Sequence, residues 1–235
     1  MEESLQLQVI ARIRSDFTSK FGIPRQSNLV PEQEAVIVFE PAYRDENALR
    51  GLTGYSHLWL IWGFDQVKQE GWSPMVKPPK LGGNKRMGVF ATRSPFRPNP
   101  IGLSSVRLVR MEKRPNLGTV LVVAGADLMN GTPIYDIKPY LAYTDSHPDA
   151  VGGFADPVRE YGLRVEISDA QLRLVPEEKR EGLMAALGQD PRPSYQDDPT
   201  REYGMRFADL EVKFKVIGDI LKVTDIRKVR SHEIF

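Results

Sequence analysis

The corner RSPFRPNP, residues 93–100, limits the fold more than any other stretch of this chain. Proline fixes φ and has no N–H, so Pro95, Pro98 and Pro100 cannot continue a helix and would strip donors from a strand ladder. Apolar residues lie on both sides, MGVFA before and IGLSSVRLV after. The backbone must therefore break here, and the break must be stiff. Arg93, Ser94, Arg97 and Asn99 ride on it. A rigid connection has no need of two permanent charges, whereas a rigid binding loop does, because stiffness lowers the entropy lost when a ligand orders it. The local residues alone fit a plain turn and a preformed site equally well.

Around this corner the sequence reads as short strands joined by punctuated loops. LQLQVIARI (5–13), EAVIVFEP (34–41), Tyr55–Phe64, RMGVFAT and LSSVRLVRME each suit a strand, and TVLVVAGADL (119–128) is apolar enough to be covered on both faces. DENALRGL suits a short helix with Asp45 as N-cap and Gly51 as C-cap. After Tyr143 the composition shifts to Gly, Pro and Asp. LRVEIS restarts order, a helix opens at Pro176 and ends at Gly188, and LEVKFKVI–GD–ILKVTDIRKV closes as a hairpin. Many strands and few helices predict a mainly β fold, a β-rich barrel rather than a doubly wound sheet. The expected division is a barrel over residues 1–160 and a small α+β domain over 161–235.

Hydrophobic content of 41% and charged content of 27% are those of an ordinary globular protein. The longest apolar run, LWLIWGF, is far short of the roughly 20 residues of a membrane-spanning helix. The N-terminal segment has no apolar signal core, and there is no cysteine. A cytoplasmic protein without disulfides or thiolate chemistry is expected. Net charge is only +1, yet Lys77 to Arg114 holds ten basic residues against Glu112 alone. Such a block suits a polyanionic partner, or a solvated face balanced by acids elsewhere.

The motif G-x-G-x-x-G is absent, as is the phosphate-cradling G-x-x-x-x-G-K-[ST], and no G-x-S-x-G elbow occurs. His57, His147 and His232 lack ligand spacing, so no metal site is expected. Four loop clusters remain, each beside a strand end, where binding residues concentrate. They are Arg25 and Gln26 after Pro24; His57 before the central apolar strand and Asp65-Gln66 after it; the Arg93–Asn99 corner; and Asp127, Asn130, Thr132, Asp136, Lys138 and Tyr140 in DLMNGTPIYDIKPYL. Simpler readings exist for several: Asn130-Gly131 is a turn dipeptide, Asp127 and Asp136 suit turn caps, His57 suits a satisfied half-buried histidine, and Trp59 and Trp62 suit core.

PPKLGGNKRMGVFATRSPFRPNPIGLS followed by DLMNGTPIYDIKPYL, with IPRQ and GYSHLWLIW upstream, resembles the TsaA/YaeB-type family of tRNA methyltransferases, the TrmO family. The likeness covers most of residues 5–145, and DPRPSY with the terminal hairpin is similar to the C-terminal extension of its longer bacterial members. The resemblance implies a single-sheeted β-barrel acting as a homodimer. It implies methylation of N6 of N6-threonylcarbamoyladenosine at position 37 of tRNA, with S-adenosyl-L-methionine as donor. It places Pro24, Arg25, Gln26, Arg93, Leu103 and Asp127, Leu128, Met129, Asn130, Gly131 and Thr132 at the cofactor. Asp65 and Gln66 join that set, although some relatives carry His-Gln there. For the chemistry, the expected base is Asp136, then Tyr140. Arg97 or Lys138 would meet the threonyl carboxylate. His57 and Asn99 are expected on the substrate side, and the Lys77–Arg86 segment, with Lys85 and Arg86, on anticodon-stem phosphates. The rival readings are a non-catalytic tRNA-binding module and a barrel that binds a small anion.

Overall fold

The computed structural model describes residues 4–67, 72–78, 85–158, 162–192 and 198–229. The molecule is mainly β. Its strands are β1 (Ala11–Arg14), β2 (Glu34–Phe39), β3 (His57–Gly63), β4 (Met75–Val76), β5 (Met87–Gly88), β6 (Ile101–Arg114), β7 (Gly118–Ala124), β8 (Pro133–Pro139), β9 (Arg164–Glu166), β10 (Tyr203–Phe207), β11 (Leu210–Ile217) and β12 (Ile220–Lys228). Among the described residues three α-helices accompany them, α1 (Ala142–Asp145), α2 (Asp169–Leu172) and α3 (Glu177–Gly188), besides short 3-10 turns.

Six strands pair in the order β1-β2-β7-β6-β3-β8, and β8 returns to β1 through Ala11↔Ile134, so the order closes as a barrel. All its neighbours are antiparallel. The side-chain period of two dictates which residues enter the core. On β3, Leu58, Leu60 and Trp62 are buried and pack with Ile13, Ile37, Val106, Leu121 and Ile134. His57, Trp59 and Ile61 alternate with them and are only half-buried. On β7 both faces are covered from Val120 to Ala124, as the continuous apolar run requires.

The ends of elements depart from the sequence pattern where local chemistry intervenes. The first strand begins only at Ala11; Leu5 is 85% exposed, so alternation alone did not recruit its side chain. RMGVFAT forms just the two residues of β5, then a 3-10 turn over Val89–Ala91, because the N–H and the hydroxyl of Thr92 both turn back to the Val89 carbonyl. Asp45 caps as expected, accepting from the Asn47 N–H, but the turn it opens is 3-10 and closes at Arg50. Pro176 takes the cap position of α3 instead of its first turn. TVLVVAGADL leaves the strand at Gly125 (φ +80), where an added Cβ would lie 2.7 Å from Asn28 Oδ1. That bend swings Asp127 out of the ladder.

A second sheet, in the order β10-β11-β12-β9, carries α3 on one face; β9 joins parallel to β12 and the other pairs are antiparallel. Strict alternation along β11 buries Leu210, Val212, Phe214 and Val216 against Leu183 and Leu187 of α3. This second core also takes in Phe17 and Val30, which lie between β1 and β2. The 15–33 connection thus belongs by packing to the C-terminal sheet, although it precedes most of the barrel in sequence.

Candidate active site

Four loops and the ends of β3 and β6 enclose a cavity of about 1000 Å³. The first wall is the 15–33 connection, which contributes Lys20, Pro24, Arg25 and Gln26. The second is Asp65-Gln66 after β3, tied to the first by the Lys20 ammonium donating to the Gln66 carbonyl at 2.7 Å. The third is the proline corner, with Arg93, Pro95, Arg97, Pro98 and Asn99. Its shape is held from within: the Arg97 guanidinium donates to the Thr92 carbonyl at 3.0 Å, and the Ser94 hydroxyl accepts the Phe96 N–H at 3.2 Å. Arg93 donates to Gln26 Oε1, so the corner and the first wall meet at two expected cofactor residues.

The floor comes from the bend after β7. Asp127, Met129 and Thr132 line the cavity, whereas Leu128 points into the barrel core at 1% exposure. Asn130 and Gly131 are spent on architecture. The Asn130 side chain accepts the Ser15 N–H, its own N–H goes to the Phe17 carbonyl at 2.8 Å, and Gly131 supplies the left-handed turn at φ +87. Asp127 is the end of a hydrogen-bond chain: the Trp62 indole donates to Ser104 Oγ at 2.9 Å, and Ser104 donates to Asp127 Oδ1 at 2.6 Å. Burial pushes the Asp127 carboxyl above its ordinary value, against the opposing pull of the Ser104 donor and the Arg93 charge. The site thus holds a partly desolvated carboxylate, an arginine in its field, and an apolar wall of Trp62, Phe64, Phe96 and Leu103.

Other expected residues lie off this lining. Asp136 accepts the Ile137 N–H at 2.9 Å and pairs with Lys138 at 3.0 Å, a surface contact. Tyr140 packs on the ring of Trp59, centroids 5.4 Å apart, and on His57 at 6.1 Å. His57 itself is within 2.9 Å of the Ser56 hydroxyl through Nδ1. Lys85 and Arg86 are exposed, and residues 79–84 of the basic segment lie outside the described residues.

The structure also brings in residues outside the expected set. Trp59, expected in the core, lines the cavity; its position between inward Leu58 and Leu60 was the available signal. Its indole donates to Asp145 Oδ2 at 2.8 Å, and that carboxyl sits below its ordinary range because it accepts the Leu141 N–H and then this indole. Ser104 is an inward polar residue on β6 at 1% exposure, a position that demands a partner. Phe90 and Phe96, 73% and 51% exposed, stand on the rim beside the basic corner.

Comparison with known proteins agrees with this architecture. A family model described as the tRNA-methyltransferase O N-terminal domain matches residues 12–146, and one described as the TrmO C-terminal domain matches 160–229. The chain is 39% identical over 221 residues to an Escherichia coli K12 protein named tRNA (adenine(37)-N6)-methyltransferase, covering 91% of this chain and 94% of that one. It is 50% identical over 165 residues to an Eikenella corrodens protein of the same name, covering 69% and 91%. A crystal structure of TrmO from Pseudomonas aeruginosa superposes with a TM-score of 0.79 at 36% identity, covering 97% of this chain and 99% of the other.

Fold, cavity and likeness together define a class, the methyltransferases that act on tRNA with S-adenosyl-L-methionine as donor. This member carries its donor site on a mainly β scaffold, without a dinucleotide-type glycine fingerprint. Within that class the chain belongs to the tRNA-methyltransferase O family.

Proposed function

We propose that this protein methylates N6 of N6-threonylcarbamoyladenosine at position 37 of tRNA. The observation that carries the reading is the convergence of the IPRQ, RSPFRPN and DLMNGT segments on one cavity, with Arg93 bonded to Gln26 and exerting its charge on Asp127. A cavity of about 1000 Å³ is at the upper end of the range for cofactor sites, which leaves room for a donor and an incoming base together. The donor set fits S-adenosylmethionine. Arg93 and Arg25 suit its carboxylate, and Trp62, Phe64 and Leu103 suit a flat heterocycle. When bound, the donor supplies an electrophilic methyl group on a sulfonium.

The chain's own residues supply alignment and charge. The proline corner keeps Arg93, Arg97 and Asn99 in place before either partner arrives, which lowers the ordering cost. N6 of the substrate is acylated by the carbamoyl group, so its proton is acidic and a carboxylate can take it. Asp127 is assigned that task, since it lines the cavity and burial makes it a stronger base than an exposed aspartate. Asp136 and Tyr140 take supporting places in this reading, Tyr140 by packing against Trp59. Arg97 meets the threonyl carboxylate, and Lys85 and Arg86 face backbone phosphates. Phe90 and Phe96 offer aromatic faces on which unpaired loop bases stack. The barrel unit is assigned to residues 1–160, with 15–33 packed on the second core, and the α+β unit to 161–235, in a cytoplasmic homodimer.

Nucleoside mass spectrometry of tRNA bearing the modified adenosine, after incubation with protein and donor, tests the reading. The expected result is one added methyl on that nucleoside. An unchanged nucleoside, with salt-sensitive tRNA binding intact, would favour the non-catalytic tRNA-binding module.

A further inference from the structure

The 15–33 connection carries Pro24, Arg25 and Gln26 into the cavity, yet its apolar side chains are held by the C-terminal sheet. The rings of Phe17 and Phe207 meet edge to face at 5.8 Å, and Phe21 stacks on Phe214 at 6.5 Å. Polar contacts fix the same segment at both ends. Lys179 of α3 reaches both oxygens of Asp16 at 2.6 Å, with only 28% and 17% of the two side chains exposed. Gln33 donates to Asp16 Oδ2 at 2.7 Å, and the Ala208 N–H donates to the Asp16 carbonyl at 2.7 Å. Helix α3 comes this close because residue 182 is glycine; a Cβ there would lie 2.0 Å from Gln33 Oε1. At the pocket end, the Arg25 guanidinium donates to the Arg192 carbonyl at 3.2 Å, and Arg192 is itself fixed by a buried pair with Asp190.

We infer that the C-terminal sheet and α3 form a brace that sets the donor-side wall, with Asp16 and Lys179 as positioning residues for Arg25 and Gln26. The inference rests on the reading of the cavity as the S-adenosylmethionine site. Neither residue lines that cavity, so each acts through the backbone between them and the IPRQ turn. A partly buried ion pair with a shared third partner is also a place where removing one member is felt locally.

The test compares wild type with Lys179→Met, which keeps most of the apolar stem, and with Lys179→Arg, which restores a cation. Amide hydrogen exchange on the ligand-free proteins is the first measurement. Lys179→Met should raise exchange at least about fivefold over residues 18–28 while β3, β6 and β7 keep wild-type protection, and Lys179→Arg should recover most of it. Unchanged exchange in that segment overturns the brace, whatever the cavity binds. Calorimetry with S-adenosylmethionine is the second. A rise in Kd of about tenfold, with kcat at saturating donor within about twofold, is expected for a misplaced wall. Equal Kd values for variant and wild type overturn the positioning role, whereas failure of wild type to bind overturns the cavity reading and leaves the exchange result to decide the brace. Should Lys179→Met not accumulate as folded protein, Asp16→Asn, which keeps an acceptor for Gln33, is measured in the same two ways.

Discussion

Arg93 is the residue whose bond and charge decide what the proline corner is for. It donates to Gln26 across the cavity and lies in the field of Asp127, yet it stands outside both cores. Arg93→Ala should therefore lower kcat/KM at least about a hundredfold and move the melting temperature by less than about 2 °C; a fold that collapses instead would make the corner purely structural. Asp127 gives the pH dependence. Its folded pKa is raised by burial above the ordinary 3.8, so the protonated form is favoured by folding. Its stabilising contribution is therefore present at acid pH and is lost as pH rises through the raised value. Activity runs the other way, because proton removal needs the carboxylate. The acid limb of kcat should have a midpoint above 3.8 and move further up in Arg93→Ala, which removes an opposing charge. Asp127→Asn should abolish the limb and cost about 10²–10⁴ in kcat, while Asp136→Asn should cost less than about threefold. Equal losses in the two variants would return the proton to Asp136.

At the scale of elements, the site depends on how closely β3 and β6 approach. Gly102 and Trp62 are direct partners across these strands, and a Cβ at 102 would come 2.2 Å from the indole. Ser104, two residues on, receives that indole's N–H and passes its own proton toward Asp127. Gly102→Ala should therefore cost about 1–3 kcal/mol of stability and raise the donor Kd, since displacing Trp62 breaks the chain that orients the carboxylate. Denaturant unfolding and calorimetry measure the two effects. Elements of this kind were half legible in the sequence. Alternation located β6 and β11 because a buried face enforces a period of two, while apolar runs located β2 and β3 and the hairpin turn located β12. Alternation overextended β1, where Leu5 and Leu7 have no partner surface, and the apolar content of RMGVFAT suits a strand where Thr92 closes a turn. The polar loops were legible as candidates through their composition. That Asn130 braces Ser15, or that Tyr140 packs on Trp59 away from the cavity lining, depends on contacts far apart in sequence, which no local pattern encodes.

At the scale of the whole molecule, the described residues form two cores, and the 15–33 segment bridges them. Phe17 and Val30 lie fully inside the second core, while Ser15 and Asn28 donate to Leu128 and to Ser105 and Gly125, and the Gln33 carbonyl accepts the Gly125 N–H. A segment packed in one core and hydrogen-bonded to the other couples them, because losing it strips partners from the Leu128 carbonyl and from the Gly125 N–H and carbonyl at the end of the barrel. Unfolding should thus follow one transition by calorimetry and by far-ultraviolet dichroism alike. Phe17→Ala sharpens the test. It removes a fully buried ring that meets Phe207 edge to face, at an expected cost of about 3–5 kcal/mol from lost transfer energy and the cavity left behind. In a chain of this size that corresponds to a fall in melting temperature of roughly 6–20 °C. Coupled cores would melt together at the lowered temperature, with the fluorescence of Trp59 and Trp62 in the barrel tracking the loss of the C-terminal sheet. If the barrel tryptophans instead kept the wild-type midpoint while the second core melted early, the 15–33 connection would be a tether and not a coupling element. The donor wall would then owe its position to the barrel alone.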